Sequence, residues 1–315
     1  MKDIWYGLHV ATYGNTFNQI KNKCQEAEKQ GYDLFTIVDH LMNEFHPWQG
    51  PHPPECWTTL SGLAAVTSKI KLAPLVACYR YRHPTMHAKM VTTLDHISNG
   101  RALFGIGAGW HQEEFKGYFG EYPSNKERLT GLRETVEICK NMFSKEISSY
   151  SGELYKVDKV LNSPLPVQDP LPILIGGGGE KVTLKIAAKH ADMTHFFAPA
   201  MNDQVTLKRK LGALRRHCDR VGRNFGEIRK GTWLVLTVDE TIEGAEDKKR
   251  KTAELFGISE STMDYFQHLC GTPEMAVDRV REYIDLGFEM ITFVITPDPT
   301  ADEINFVAKK IINQI

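Results

Sequence analysis

Short apolar runs that are typical of buried strands alternate along the chain with amphipathic helical segments. The strand candidates are residues 4–10, 34–38, 70–78, 102–106, 173–175, 192–197, 228–238 and 290–295. Strands that alternate with helices indicate a parallel sheet. Eight of them over 315 residues favour a closed (β/α)8 TIM barrel over an open doubly wound sheet.

Two stretches interrupt this alternation. Residues 145–170 contain a Ser-Gly turn between short alternating runs, which predicts a surface hairpin, followed by a proline-rich lead-in to the next strand. Residues 239–271 are charged, and their pattern predicts helices. We expect both stretches to be insertions within a single barrel domain that spans residues 1–315.

Charge and composition limit the classes of partner. The chain carries 38 Lys and Arg against 39 Asp and Glu, a net charge of -1, so bulk electrostatics favours neither a nucleic acid nor a membrane surface. No apolar run approaches the roughly 20 residues of a membrane span, and the N-terminus has no signal-peptide pattern. The six cysteines are scattered without a Cys-x-x-Cys pair, which argues against a disulfide framework and a structural zinc site. We expect a cytoplasmic protein.

The stretch 94–120 combines a turn, a buried strand and a glycine-rich bend without a gap. Gly105, Gly107 and Gly109 alternate at the carboxyl end of the strand candidate 102–106. Missing side chains at such positions let a flat ligand or a phosphate approach the backbone. The alternative is a tight strand-to-helix turn that needs glycine for its geometry alone.

In a TIM barrel the chemistry lies at the carboxyl ends of the strands. Here those positions are rich in glycine and aromatic residues and include one Asp-His pair, Asp39 and His40. They are poor in the paired lysines or carboxylates that aldolases and glycosidases need. A planar aromatic cofactor suits this set.

Four segments together resemble the bacterial luciferase-like superfamily, and most closely its coenzyme F420-dependent oxidoreductases. They are DLFTIVDH, ECWTTLSGLAAVTSKIKL, RYRHPTMHAKMVTTLDHISNGRALFGIGAGWHQEEFKGYFG and PLPILIGGGGEKVTLKIAAKHAD. The resemblance covers nearly the whole chain and weakens after about Pro199. It implies a TIM barrel with the deazaflavin at its mouth, a hydride exchanged at C5 of the ring, and a small-molecule substrate stacked on the exposed ring face.

The resemblance implies a catalytic role for His40, which follows the second strand and would lie near the reactive edge of the ring. A histidine that titrates near neutrality can hold or supply the proton that accompanies hydride transfer. Without the resemblance, a histidine that caps the core is the alternative. Asp39 belongs to the same motif and is assigned to cofactor binding. Leu75 and Val76 correspond to the third-strand bulge, where family members carry a non-prolyl cis peptide against the ring.

The glycines take the remaining cofactor roles that the resemblance implies. Gly107, Ala108 and Gly109 would pass beside the ring and its side chain. Four residues between a strand and a helix would donate backbone N–H groups to the cofactor phosphate, aided by the helix dipole: Gly176, Gly177, Gly178 and Gly179. A purely structural turn is the alternative. Arg128 and Lys181 are weaker candidates for an anionic tail, since exposed charge is the default for both.

One position departs from the family pattern. Sugar-phosphate dehydrogenases of the family carry a catalytic glutamate after the glycine bend, whereas this chain has Trp110. The change argues against that activity and favours a pocket for a planar or apolar substrate, with Trp48, Trp110 and Phe197 as walls; simple packing of these aromatic rings is the alternative. Glu113 and Glu114 either support the site or form an ordinary acidic first turn.

Metal is not expected. The loop histidines have no nearby carboxylate or cysteine to complete a ligand set; they are His46, His52, His83 and His87.

Three functions follow. The first is an F420-dependent oxidoreductase, the second an FMN-dependent monooxygenase that uses reduced flavin and O2, and the third a barrel that binds a flavin without turnover. Asp39 and His40 argue against the third. The resemblance suggests a homodimer, since dimers are common among such proteins, and the sequence does not identify the substrate.

Overall fold

The computed structural model describes residues 3–196, 204–265, 269–295 and 298–315. Its strands are β1 (Trp5–Val10), β2 (Leu34–Ile37), β3 (Lys71–Pro74), β4 (Ala77–Cys78), β5 (Phe104–Gly107), β6 (Ile147–Ser151), β7 (Lys156–Leu161), β8 (Ile173–Gly176), β9 (Met193–Phe196), β10 (Arg229–Val238), β11 (Leu269–Gly271) and β12 (Met290–Ile295). Its helices are α1 (Phe17–Lys29), α2 (Cys56–Ala64), α3 (Pro84–Ser98), α4 (Gln112–Phe119), α5 (Asn125–Ser144), α6 (Thr183–His190), α7 (Gln204–Val221), α8 (Ile242–Phe256), α9 (Glu260–Tyr265), α10 (Pro273–Asp285) and α11 (Ala301–Lys310).

The main sheet closes into a barrel of parallel strands. Neighbouring strands follow the order β3-β2-β1-β12-β10-β9-β8-β5-β4. The circle closes where Leu72 of β3 bridges Ala102, just before β5, and the N–H of Leu72 donates to the carbonyl of Arg101 at 3.0 Å. β3 and β4 share one of the eight barrel positions, separated by Leu75 and Val76, whose peptide bond is cis. The predicted (β/α)8 TIM barrel is therefore confirmed.

Local sequence explains why these elements form. All four residues of β2 and of β5 are buried, as a strand covered on both faces requires. α1 begins with a capping box between Thr16 and Gln19, which satisfies two backbone N–H groups at the helix start. α3 begins at Pro84 and ends at Asn99, which has a φ of 55° and so reverses the chain into β5.

The stretch 145–170 contains an antiparallel hairpin of β6 and β7, which form a two-stranded sheet separate from the barrel. Glu134 of α5 holds the turn of this hairpin. Its buried carboxylate accepts hydrogen bonds from the N–H groups of Glu153, Leu154 and Tyr155 at 2.7 to 3.0 Å. The hairpin is thereby fixed to the outside of the barrel.

Residues 239–271 differ from the helical expectation at their end. They contain α8 and α9, but Leu269–Gly271 form β11, which pairs in parallel with the last residues of β10. A three-residue strand is too short to show a period in the sequence. The final helix, α11, was also not predicted, although Thr300 and Glu303 form a capping box at its start. Among the described helices, none has the length and apolar character needed to cross a membrane.

Candidate functional site

A cavity of about 790 Å³ opens at the carboxyl ends of the barrel strands. Most of the predicted site residues line it: Asp39, His40, Leu75, Val76, Gly107, Ala108, Gly109, Trp110, Gly176, Gly177, Gly178 and Gly179. The segments after β2, β3, β5 and β8 therefore converge on one volume. Their sequence positions range over some 140 residues of the chain.

The three predicted aromatic walls have different positions. Trp110 lines the cavity and meets the ring of His40 edge-on, with centroids 5.5 Å apart. Trp48 does not line the cavity and is 72% exposed, because the proline-rich loop that carries it places its side chain in solvent. Phe197 lies outside the described residues. Trp110 therefore keeps its assignment as a candidate wall, Trp48 loses it, and the assignment of Phe197 stays a prediction.

His40 is held by a buried carboxylate. Its Nδ1 lies 3.0 Å and 3.1 Å from the two oxygens of Glu114, on the first turn of α4. The side chain of Glu114 has no exposed surface, and it also accepts from the N–H groups of Leu41 and Met42 and from the hydroxyl of Tyr81. Glu114 is thus a positioning group for His40.

A second carboxylate faces the other nitrogen of His40. Oε2 of Glu44 lies 3.6 Å from Nε2, while the hydroxyl of Tyr13 donates to Oε1 of Glu44 at 3.0 Å. Burial alone would lower the pKa of His40, but Glu114, Glu44 and Asp39 together raise it above the usual 6.5. Burial opposes the charge on Glu114, yet its hydrogen bond and attraction to His40 lower its pKa. The site therefore favours an imidazolium that can release a proton towards the cavity.

Asp39 offers an acceptor to the cavity. Its Oδ2 accepts from the N–H of Cys78 at 3.0 Å and from Arg82 at 2.7 Å. Its Oδ1 is buried and has no hydrogen-bond partner within the described part of the chain. Burial raises the pKa of Asp39, and Arg82 opposes that rise. Arg82 also pairs with Glu55, the N-cap of α2, so its guanidinium is fixed between two carboxylates.

Several glycines are required around the bend because a side chain there would collide with a neighbouring residue. A Cβ on Gly105 would collide with the carbonyl oxygen of Pro74, so this glycine permits β3 and β5 to approach and is structural. A Cβ on Gly107 would lie 2.7 Å from Val76, and one on Gly176 would lie 2.8 Å from the same side chain. Gly109 has a φ of 69°, and a Cβ there would meet Cys78 and Phe115. Gly107 to Gly109 and Gly176 to Gly179 all line the cavity, and we call them the glycine wall.

The glycine loop leads into the N-terminus of α6. Gly177 has a φ of 115°, which glycine adopts without strain. The N-cap, Val182, provides no side-chain hydrogen bond, so this helix start depends on other acceptors. Lys210 donates to the carbonyl of Gly178 at 2.5 Å and holds the loop. Lys181 borders a separate cleft of about 310 Å³ behind the loop.

These residues fit a flavin or deazaflavin phosphate. The glycine wall accommodates a flat ring, Oδ1 of Asp39 is an acceptor without a partner, and the uncapped start of α6 suits an anion. Arg128, the other tail candidate, stacks on Tyr122 and is not among the residues that line the cavity. In the described ranges, no group of three or more His, Cys, Asp and Glu side chains is arranged to hold a metal.

Sequence reasoning missed several polar residues that line the cavity or contact its lining. Glu44 lies four positions after His40 in a loop without periodicity, and Arg82 precedes α3 in another loop. His9, His195 and Trp233 lie within strands and face the barrel interior. A polar side chain inside a predicted strand was the available signal for the last three.

Known proteins resemble the chain over most of its length. Residues 5–259 match the family described as luciferase-like monooxygenase. An uncharacterized protein of Mycobacterium tuberculosis is 33% identical over 275 residues, or 82% of this chain and 89% of the relative. An F420-dependent glucose-6-phosphate dehydrogenase of Nakamurella multipartita is 28% identical over 296 residues, or 85% and 83%. The pyrimidine monooxygenase RutA of Cronobacter turicensis is 27% identical over 248 residues, or 76% and 63%.

A solved structure shares the whole architecture. The coenzyme F420 dependent tetrahydromethanopterin reductase of Methanopyrus kandleri superposes with a TM-score of 0.81 and covers 99% of both chains. The sequences are 21% identical, so this likeness concerns the fold alone.

Proposed function

Because this chain belongs to the luciferase-like monooxygenase family, we propose that it is a coenzyme F420-dependent oxidoreductase acting on a small organic substrate. The bound deazaflavin would supply hydride chemistry at C5 of its ring. The proton that accompanies a hydride must come from or go to the protein. The observation that carries the proposal is His40, held at Nδ1 by Glu114 and faced at Nε2 by Glu44, at the edge of the cavity.

In this proposal His40 holds or releases the proton at Nε2. Glu114 fixes the orientation of the ring and favours its charged form, and Glu44 offers the proton an adjacent carboxylate. Asp39 accepts a hydrogen bond from the cofactor through Oδ1. Leu75 and Val76 would support the ring from the bulge, with the glycine wall against it. The loop from Gly176 to Gly179 would bind the phosphate through N–H groups other than that of Gly177, which donates to the carbonyl of His195 at 2.9 Å.

A second function uses the same cavity. A monooxygenase with reduced FMN and O2 would need the glycine wall and a phosphate site as well, and both the family description and the relationship to RutA favour it. Carboxylates at both imidazole nitrogens favour hydride and proton exchange, because that reaction requires a group that stores one proton between steps. Trp110 in place of a glutamate argues against a sugar phosphate as substrate.

Turnover under two conditions tests the proposal. Oxidised F420 is incubated anaerobically with a panel of secondary alcohols, and the same panel is assayed aerobically with reduced FMN. We expect loss of the deazaflavin absorbance in the first assay, reduced by about 100-fold in His40→Ala. His96→Ala, which alters an exposed histidine of α3, should retain full activity. The proposal would be contradicted if the protein consumed O2 in the presence of substrate and reduced FMN and did not reduce F420 with any alcohol of the panel.

A further inference from the structure

The part of the cavity that runs from the edge of the glycine wall to the opposite strands carries polar side chains that the proposed mechanism does not use. In the closed strand order, β10, β12 and β1 lie across the barrel from β4, β5 and β8. β1 contributes His9 and β10 contributes Trp233, while His195 lies on β9, paired in register with Gly176 at the edge of the glycine wall. We call these three residues the imidazole wall.

His195 lines the cavity and has one nitrogen without a hydrogen-bond partner in the described part of the chain. A backbone hydrogen bond with Thr232 favours the protonated form of the ring, so the histidine donates and the carbonyl of Thr232 accepts. Nε2 is buried and has no partner within the described ranges, which places the bond to Thr232 at Nδ1. With the proton on Nδ1, the neutral ring has a lone pair at Nε2. The buried Nε2 therefore lacks a donor.

His9 is paired at one nitrogen. Its Nδ1 lies 2.9 Å from Oγ1 of Thr36, which also lies 3.5 Å from the carbonyl oxygen of Leu8. Nε2 of His9 is the nitrogen that Thr36 does not engage, and it donates or accepts according to the tautomer.

The imidazole wall is neutral. Burial lowers the pKa of both His9 and His195 to about 3, so neither ring is charged near neutral pH. No lysine or arginine lines the described part of the cavity, and its carboxylates, Asp39 and Glu44, follow β2. A carboxylate or phosphate placed here would have no cationic partner, and its burial would be costly. The wall therefore suits an uncharged group.

The indole of Trp233 lies near both imidazole rings. Its ring centroid is 4.7 Å from that of His9 and 6.0 Å from that of His195. Val235 and Val294 line the cavity beside it. A ligand here meets apolar surface with an imidazole on both sides of the indole, and His195 provides the acceptor.

We propose that His9 and His195, on either side of Trp233, form a substrate subsite for an uncharged group that donates hydrogen bonds, a hydroxyl or a primary amide. The subsite rests on the proposed function in one respect. Because the cofactor ring is assigned to the glycine wall, the imidazole wall is left for the substrate. The subsite excludes anionic substrates, including sugar phosphates.

Three probes of one shape test the subsite: cyclohexanol, cyclohexanecarboxylate and cyclohexylamine. Protein labelled with 15N in histidine is titrated with each probe, without cofactor and with excess F420, and the imidazole nitrogens are followed by NMR. We expect the ring of His195 to be neutral and protonated at Nδ1, and its Nε2 signal to shift with cyclohexanol. The two charged probes should bind at least about tenfold more weakly than cyclohexanol.

His195→Asn is the matched variant, because its amide N–H can replace Nδ1 at Thr232 while the Nε2 acceptor is lost. We expect cyclohexanol to bind about tenfold more weakly, with the circular dichroism unchanged. His96→Asn should bind like the wild type. If His195→Asn does not fold, the comparison of the three probes on wild-type protein still tests the subsite.

Equal or tighter binding of a charged probe, undiminished cyclohexanol binding in folded His195→Asn, or imidazolium signals from His9 or His195 at neutral pH would overturn the subsite. The titration without cofactor separates the two proposals. An alcohol-specific shift with no F420 binding overturns the F420 function alone, and tight F420 binding with no shift overturns the subsite alone.

Discussion

Nδ1 of His40 lies 3.0 Å from Oε2 of Glu114, a carboxylate without exposed surface on a different element of the barrel. The pairing joins the loop after β2 to the first turn of α4. It fixes which nitrogen of the imidazole faces the cavity, and the same carboxylate holds the backbone of Leu41 and Met42.

Glu114→Gln should lower the pKa of His40, because it removes a negative charge and a charge-assisted hydrogen bond. A raised histidine pKa stabilises the fold below the unfolded value of 6.5 and loses that effect as pH rises through the folded pKa, so the variant should lose stability mainly on the acid side. Histidine NMR titration and the pH profile of kcat should both move to lower pH. Glu113→Gln, which changes the neighbouring and half-buried carboxylate, is the control. Equal shifts in both variants would refute the role of Glu114.

Arg82→Met should destabilise the protein by about 3 kcal/mol, since it leaves the buried carboxylate of Asp39 without its charged partner. Arg80→Met breaks the more exposed pair with Glu121 and should cost less than about 1 kcal/mol. Urea unfolding measures both. Adding Asp39→Asn to Arg82→Met should recover part of the loss, and a double variant as unstable as the single one would show that charge is not the cause.

Gly105→Ala should unfold the barrel or destabilise it by about 3 kcal/mol or more, because its Cβ would meet the backbone carbonyl of Pro74, which cannot rotate away. Gly120→Ala is the comparison. Gly120 also has a positive φ, of 79°, but nothing lies within 4 Å of its Cβ position, so it should cost about 1 to 2 kcal/mol. Thermal unfolding measures both variants. Similar losses of stability in the two would contradict the close approach of β3 and β5.

Acid should destabilise the protein through its buried neutral histidines. The pKa of His195 is about 3 in the fold and near 6.5 when unfolded, so the unfolded chain binds the extra proton. Its contribution to stability is present above pH 6.5 and is lost as pH falls towards 3. In His195→Asn the slope of unfolding free energy between about pH 6 and 4 should fall by about 1.4 kcal/mol per pH unit. His96→Asn should keep the wild-type slope, and an unchanged slope in His195→Asn would contradict a neutral, buried ring.

The fold was predictable because burial on both strand faces leaves short, nearly continuous apolar runs, as in β2 and β5. Helices also begin and end at signals such as Pro84 and Asn99. β11 was not predictable, since three residues show no period and pair only after β10 is in place.

The candidate site was predictable where glycine or a recognisable motif identified it. Gly107, Gly176 and His40 all line the cavity. Glu44 and Trp48 show where sequence reasoning fails, because both lie in one irregular loop whose path decides which side chain enters the cavity. The expectation favoured the aromatic residue, and the structure places the carboxylate there.

Parallel titration of the purified protein with F420 and with FMN, followed by fluorescence quenching, tests the central claim most directly. Both cofactors have a flat ring and a phosphate that the glycine wall can bind. A difference in affinity therefore reports which of the two the cavity prefers. The account predicts tight binding of F420 and weak binding of FMN. Preferential binding of FMN would contradict it and would assign the cavity to a flavin monooxygenase.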